Sequence, residues 1–208
     1  MHHIEEIAER IRRSFDARTA ARDNALSQAR IITRHCAKAI RAIHRDERDV
    51  ALDNLNEAQQ LVKSLQTDLT DYPDLYFAGY TQDALKEYAE ANIVYALIDN
   101  GDLPEPENLG LVYDTYLQGL AEATGELRRR CLDDLRRGNF SEAERMLNHM
   151  DDIYAILITM DYPDAITGGL RRLTDIARSV TERTRGDLTI SLRQEQLEKS
   201  LQRLEGQL

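Results

Sequence analysis

Backbone breakers are nearly missing from this sequence: four prolines and ten glycines in 208 residues, with no tryptophan. Their scarcity excludes a collagen-like or loop-rich chain and leaves room for long uninterrupted elements. Cysteine is rarer still. Cys36 and Cys131 stand far apart without metal-ligand spacing, which excludes a disulfide framework and a structural zinc site and reads as two free buried thiols. Positive charge is in deficit, with 27 Lys and Arg against 37 Asp and Glu and a net charge of -10. An indiscriminate nucleic-acid coat needs the opposite balance, so any phosphate-binding surface must be local. No apolar run reaches the roughly 18 residues of a membrane span. The start Met1-His2-His3-Ile4-Glu5-Glu6 has neither a basic opening nor an apolar signal core, so the expectation is a cytoplasmic chain with no membrane partner.

What is abundant is Ala, Leu, Arg, Glu and Gln, the good helix formers. No stretch sustains strand alternation, and long segments of helical period predict an all-α fold of about seven helices in one domain spanning residues 1–208. The first helix is expected from His3 to Arg45, with room for a bend at Ala20 to Asn24, and the second from Asp46 to Leu69. Pro73 breaks the pattern and a short turn follows. Thr81-Gln82-Asp83 reads as the cap of a central helix reaching Asp99, stopped by Asn100-Gly101. A fifth helix is expected from Leu109 to Arg137. A capping box of Ser141 and Glu144 opens a sixth to Met160, and the last runs from Leu170 to Gln207.

The central helix is unusual. From Tyr88 to Ile98 it is apolar on nearly every face, interrupted by Glu90 and Asn92 alone, which describes a buried helix. Glu87 and Glu90 share one side of it. A buried carboxylate needs a cation, hydrogen bonds or protonation, so Glu90 either faces an arginine or water, or holds a metal. Glu122 and Glu126 lie four apart on the fifth helix, opposite an expected apolar stripe of Tyr113, Leu117, Leu120, Cys131 and Leu135. Alone, they read as plain solvent residues. Together the two pairs offer hard oxygen donors suited to magnesium or manganese, since no Glu-x-x-His motif or cysteine cluster favours iron or zinc.

Arg30, Arg34, Lys38, Arg41 and Arg45 fall within an arc of about 80° on the first helix, with His35 and His44 near its edges. No acidic residue lies between Gln28 and Arg45. The row is either a phosphate-backbone surface or a solvated, salt-bridged face. Tyr76, Tyr80, Tyr88 and Tyr95 can stack bases or simply pack. Leu188, Leu192, Leu197, Leu201, Leu204 and Leu208 form a seam suited to packing within or between subunits.

The segments Leu85-Lys86-Glu87-Tyr88-Ala89-Glu90-Ala91 and Gly119-Leu120-Ala121-Glu122-Ala123-Thr124-Gly125-Glu126-Leu127 resemble the translin family, and within it the catalytic Trax branch with its archaeal relatives. The first is similar to Leu-Gln-Glu-Tyr-Val-Glu-Ala, whose two glutamates belong to an acidic active site. The second is similar to Ala-Asp-Leu-Thr-Gly-Glu-Leu, with Glu122 in place of the aspartate. The resemblance implies catalytic and metal-binding roles for Glu87, Glu90, Glu122 and Glu126, and magnesium-dependent endoribonuclease activity on single-stranded RNA. It also implies a hollow homo-octamer with basic inward surfaces. Single-stranded DNA is a further expected partner. The competing expectations are a non-catalytic nucleic-acid-binding scaffold, resting on Arg30, Arg34, His35, Lys38, Arg41, His44 and Arg45, and a helical assembly protein whose carboxylates are structural.

Overall fold

A computed structural model describes residues 2–205. Among the described residues there are nine helices and no strand: α1 (His2–His44), α2 (Arg48–Asp68), α3 (Pro73–Tyr76), α4 (Gly79–Ile98), α5 (Pro106–Leu109), α6 (Tyr113–Arg136), α7 (Phe140–Leu157), α8 (Asp164–Thr167) and α9 (Leu170–Glu205). The expected all-α class stands, and α1 runs unbroken through Ala20 to Asn24. Two short helices raise the expected seven to nine. Pro106, with its fixed φ, starts α5, and Gly110 in the left-handed region (φ 69°) stops it. The fifth helix, expected from Leu109, is α6 and starts four residues later at Tyr113, and α5 occupies the expected loop before it. Gly168 (φ 58°) closes α8 in the same way.

The backbone forms two compact units. The first comprises residues 1–92 and 105–115. Here α1 and α2 are antiparallel neighbours in sequence, reversed at Asp46, whose φ of 60° is the left-handed conformation a short polar side chain tolerates. The two helices pack together, and the residues buried on them include Ala29, Ile32, Cys36, Ala39 and Ile43 of α1 and Ala51, Leu55, Ala58, Val62 and Leu65 of α2. The alanines bring the two backbones close. Burial of Leu55, Val62 or Leu65 contributes about 1.5–3 kcal/mol each. Leu208 of the leucine seam and the end of the last helix at Gln207 lie outside the described residues.

Thr81 does not cap α4, which begins two residues earlier. Its hydroxyl is fully buried and donates to the Leu75 carbonyl (2.8 Å), and the Gln82 amide donates to the Tyr76 carbonyl (2.7 Å), so both close the end of α3. Thr115 then donates to the Gln82 Oε1 (2.6 Å) and Gln66 to the Gly110 carbonyl (2.5 Å).

The second unit comprises residues 93–104 and 116–208. Ala143, Met146, Leu147, Met150, Ile153 and Leu157 line the buried face of α7, which packs against Leu170, Ala177, Thr181, Thr184 and Leu188 of α9. The Ser141 capping box is not formed: α7 starts at Phe140, one residue before Ser141, and Asn139 takes the cap position. Arg128 joins α6 to α9 through Thr184 (2.9 Å) and Asp187 (2.9 Å). Arg145 on α7 donates to the carbonyls of Leu97 (2.7 Å) and Ile98 (3.2 Å), the C-terminal acceptors of α4, while Glu142 holds the same guanidinium (2.7 Å). Both cysteines are free and buried, as expected.

Candidate metal and nucleic-acid site

On α4, Leu85, Tyr88, Ala89, Ala91, Ile93 and Val94 are all but inaccessible, so the helix is buried on most of its circumference. Asn92, the neutral interruption, satisfies itself by donating to the Tyr88 carbonyl one turn back (2.7 Å). Glu90 is the charged one, only 9% exposed, and Glu87 one turn earlier is half-buried. The pair casts its field across the first unit onto Cys36 of α1. Burial pushes the Cys36 thiol far above the usual range, and the charges of Glu87 and Glu90 push it further. That thiol therefore stays protonated, neither a nucleophile nor a soft metal ligand. Burial likewise raises the Tyr88 hydroxyl to about 12, with Cys36 adding to the shift. The pair itself offers hard carboxylate oxygen, the donor type that fits magnesium or manganese.

The same face of α4 carries more than two acids. Tyr80, Asp83, Glu87 and Glu90 follow one another at spacings of three, four and three, one stripe along the helix. Beside it, Leu26, Ala29, Arg30 and Thr33 of α1 join Tyr80, Asp83, Ala84 and Glu87 in lining a cavity of about 490 Å³.

In the second unit, Glu122 and Glu126 are half-buried. Of the expected stripe, Leu120 and Cys131 are buried and Tyr113 is not. Tyr113 is 67% exposed, its hydroxyl donating to Glu107 (2.7 Å), whereas Gly119, Leu120, Ala121, Ala123 and Thr124 are buried. Small residues let α6 be enclosed on several sides at this level, so the two glutamates stand on a largely covered stretch of helix rather than a free solvent face. Glu126 pairs with Arg129 (3.7 Å). Glu122 shares a cavity of about 270 Å³ with Thr124, Gly125, Arg172 and Ile176. Each unit thus sets a glutamate at the wall of a cavity that also has an arginine.

Arg30, Arg34, Lys38, Arg41 and Arg45 are all exposed, and among the described residues none of the five forms an ion pair. That contrasts with Arg12, Arg18, Arg136, Arg171 and Arg185, each paired with an acid. His35 is half-buried and its Nδ1 lies 3.0 Å from the Asn54 Oδ1. His44 is buried, 6% exposed, off the cationic row. Asp83 and Arg172 were not singled out by the sequence reasoning. For Asp83 a signal existed, its place four residues before Glu87; for Arg172 none did, because its neighbour lies on another helix.

Helices in this order, with one carboxylate pair on a buried helix and another on an enclosed one, define an all-α protein of translin type. The chain belongs to the translin family, whose profile matches residues 7–207. It is 34% identical over 188 residues to the uncharacterized protein MJ0175 of Methanocaldococcus jannaschii, covering 89% of this chain and 83% of that protein. The solved structure of AfC3PO is similar at 33% identity and a TM-score of 0.82, over 88% of this chain and 96% of the other. AfC3PO in complex with duplex RNA is similar at 32% identity and a TM-score of 0.81, over 88% and 95%. Apo-NeC3PO shares the fold at 20% identity, with a TM-score of 0.82 over 88% and 96%.

Proposed function

We propose that this chain is a metal-dependent endoribonuclease that cuts single-stranded RNA, in the cytoplasm and as a hollow homo-oligomer, most simply an octamer. The observation that carries the reading is the carboxylate pair on α4, a buried Glu90 one turn from Glu87 in a helix otherwise closed to charge. On this reading the carboxylate oxygens of Glu87, Glu90, Glu122 and Glu126 are the ligands of a magnesium or manganese ion. A divalent cation held there supplies Lewis-acid stabilisation of charge developing on the phosphodiester. The glutamates fix its position, and one of them accepts the proton of the attacking water. Arg30, Arg34, Lys38, Arg41 and Arg45, exposed and without ion pairs among the described residues, bind the phosphate backbone. A relative of the same family, AfC3PO, is seen with duplex RNA, which supports RNA as the ligand class. The exposed Leu197, Leu201 and Leu204 of α9 support self-association.

The test incubates end-labelled single-stranded RNA with the protein and magnesium. Cleavage lost in Glu90→Gln and in EDTA supports the proposal; cleavage unchanged by both sinks it. A non-catalytic single-stranded RNA or DNA scaffold is the second reading, favoured by the exposed cationic row, which forms no ion pair among the described residues. It predicts salt-sensitive binding without cleavage, weakened by Arg34→Ala and Arg41→Ala and untouched by Glu87→Gln or Glu90→Gln.

A further inference from the structure

We propose that the cavity between α1 and α4 is a nucleobase-binding subsite that takes guanine; this rests on the reading of the chain as an RNA-cutting enzyme and names a base that it selects. The cavity, about 490 Å³, falls within the size of small-molecule sites. Its walls carry a distinct set of groups. Asp83 is exposed and, among the described residues, has no hydrogen bond or ion pair. A carboxylate only accepts hydrogen bonds, so it calls for a base edge made of donors. Guanine alone presents two adjacent donors on its Watson–Crick edge, the N1–H and the N2 amino group, which match the two oxygens of one carboxylate. Adenine and cytosine each set an amino group beside a ring acceptor, and that acceptor would face the carboxylate lone pairs. Uracil flanks its single N–H with two carbonyls.

The other walls suit the rest of a nucleotide. Tyr80 is half-buried in the cavity wall, and its aromatic ring is the kind of surface on which an unpaired base stacks. Its hydroxyl is closed from solvent and has no hydrogen-bond partner among the described residues. Arg30, exposed and without an ion pair among the described residues, stands at the same cavity for the adjoining phosphate. Leu26, Ala29 and Ala84 supply apolar wall for the base. Glu87 belongs both to this wall and to the proposed metal-binding set, so a base held by Asp83 would sit next to the bond to be cut.

The test is calorimetric titration of the full chain with GMP, AMP, CMP and UMP in EDTA, so that binding is read without metal or cleavage. GMP is expected to bind at least about tenfold tighter than AMP, the discrimination of one bidentate contact. Asp83→Asn should abolish that preference while residual binding persists, and Arg30→Ala should weaken all four nucleotides alike. Circular dichroism checks that both variants fold. Equal affinities in the wild type, no binding by any nucleotide at millimolar concentration, or a guanine preference that survives Asp83→Asn would overturn the proposal. Cleavage of mixed-sequence RNA separates the two readings. Glu90-dependent cutting without base preference removes the guanine subsite and leaves the nuclease. A guanine preference in binding without cutting removes the nuclease and leaves the subsite.

Discussion

Arg145 fastens α7 to the end of the helix that carries Glu87 and Glu90, and replacing it with Met measures that fastening. The guanidinium donates to the carbonyls of Leu97 (2.7 Å) and Ile98 (3.2 Å), acceptors with no partner inside α4 because the helix ends there. Hydrogen bonds from a charged donor contribute about 1.5–3 kcal/mol, and the positive charge at a helix C-terminus adds a few tenths more. Arg145 is 23% exposed, so solvent takes over part of the lost bonding. Arg145→Met keeps the length of the side chain and should cost about 2–3 kcal/mol, or about 4–12 °C in Tm for a chain of this size. Urea unfolding followed at 222 nm gives the free energy. Glu142→Ala removes only the carboxylate partner and should cost less than about 1 kcal/mol. If Arg145→Met falls below about 0.5 kcal/mol, or Glu142→Ala costs as much, the carbonyl contacts are not what stabilises this end of α4.

Three other outcomes are expected. Saturating magnesium or manganese should raise the Tm of the wild type, by the equivalent of about 2.7 kcal/mol at a hundredfold excess over Kd, and leave Glu87→Gln/Glu90→Gln unmoved; an equal rise in both places the ion elsewhere. Gly110→Ala should destabilise by about 1–2 kcal/mol in chemical unfolding, since φ is 69° and the added Cβ would meet the Gln66 amide at 3.2 Å. Burial and then Arg145 lower the His149 pKa, with Asp152 opposing. Its contribution to stability is therefore complete above the ordinary imidazole value of about 6.5 and lost as pH falls below it. Tm scanned from pH 7 to pH 5 should drop less in His149→Gln than in the wild type, and parallel curves would refute the assignment.

The long helices were legible in the sequence because their stripes repeat over many turns. The ends of α1, α2 and α4 fell within three residues of expectation. Errors gathered where a single residue decides: Gly110 stopped the chain's helix at Leu109 and moved the start of the fifth expected helix to Tyr113, and Ser141 lost the cap position to Asn139. Thr81 shows why such positions mislead. A hydroxyl near a helix start can cap that helix or reach the previous one, and only the path of α3 makes Leu75 its acceptor. The α4 glutamates were legible because charge in an apolar run is anomalous by itself. Arg172 was not, because its interest comes from a cavity wall shared with another helix, which no periodicity encodes; Asp83 had its spacing from Glu87 as a signal, but not the cavity that gives it interest. His44 is buried although it borders an exposed row: at the margin of the cationic arc, a small rotation about α1 separates the surface from the core.

The stripe Tyr80, Asp83, Glu87 and Glu90 is also a ruler. A helix rises about 1.5 Å per residue, so the seven steps from Asp83 to Glu90 fix about 10 Å between the group proposed to read a base and the group proposed to help cut. A loop carrying the same residues could stretch or fold that interval; a buried helix cannot. Cuts would then fall at one constant offset from each recognised base whatever the length of the strand, with the number of residues between two side chains translated into a number of nucleotides.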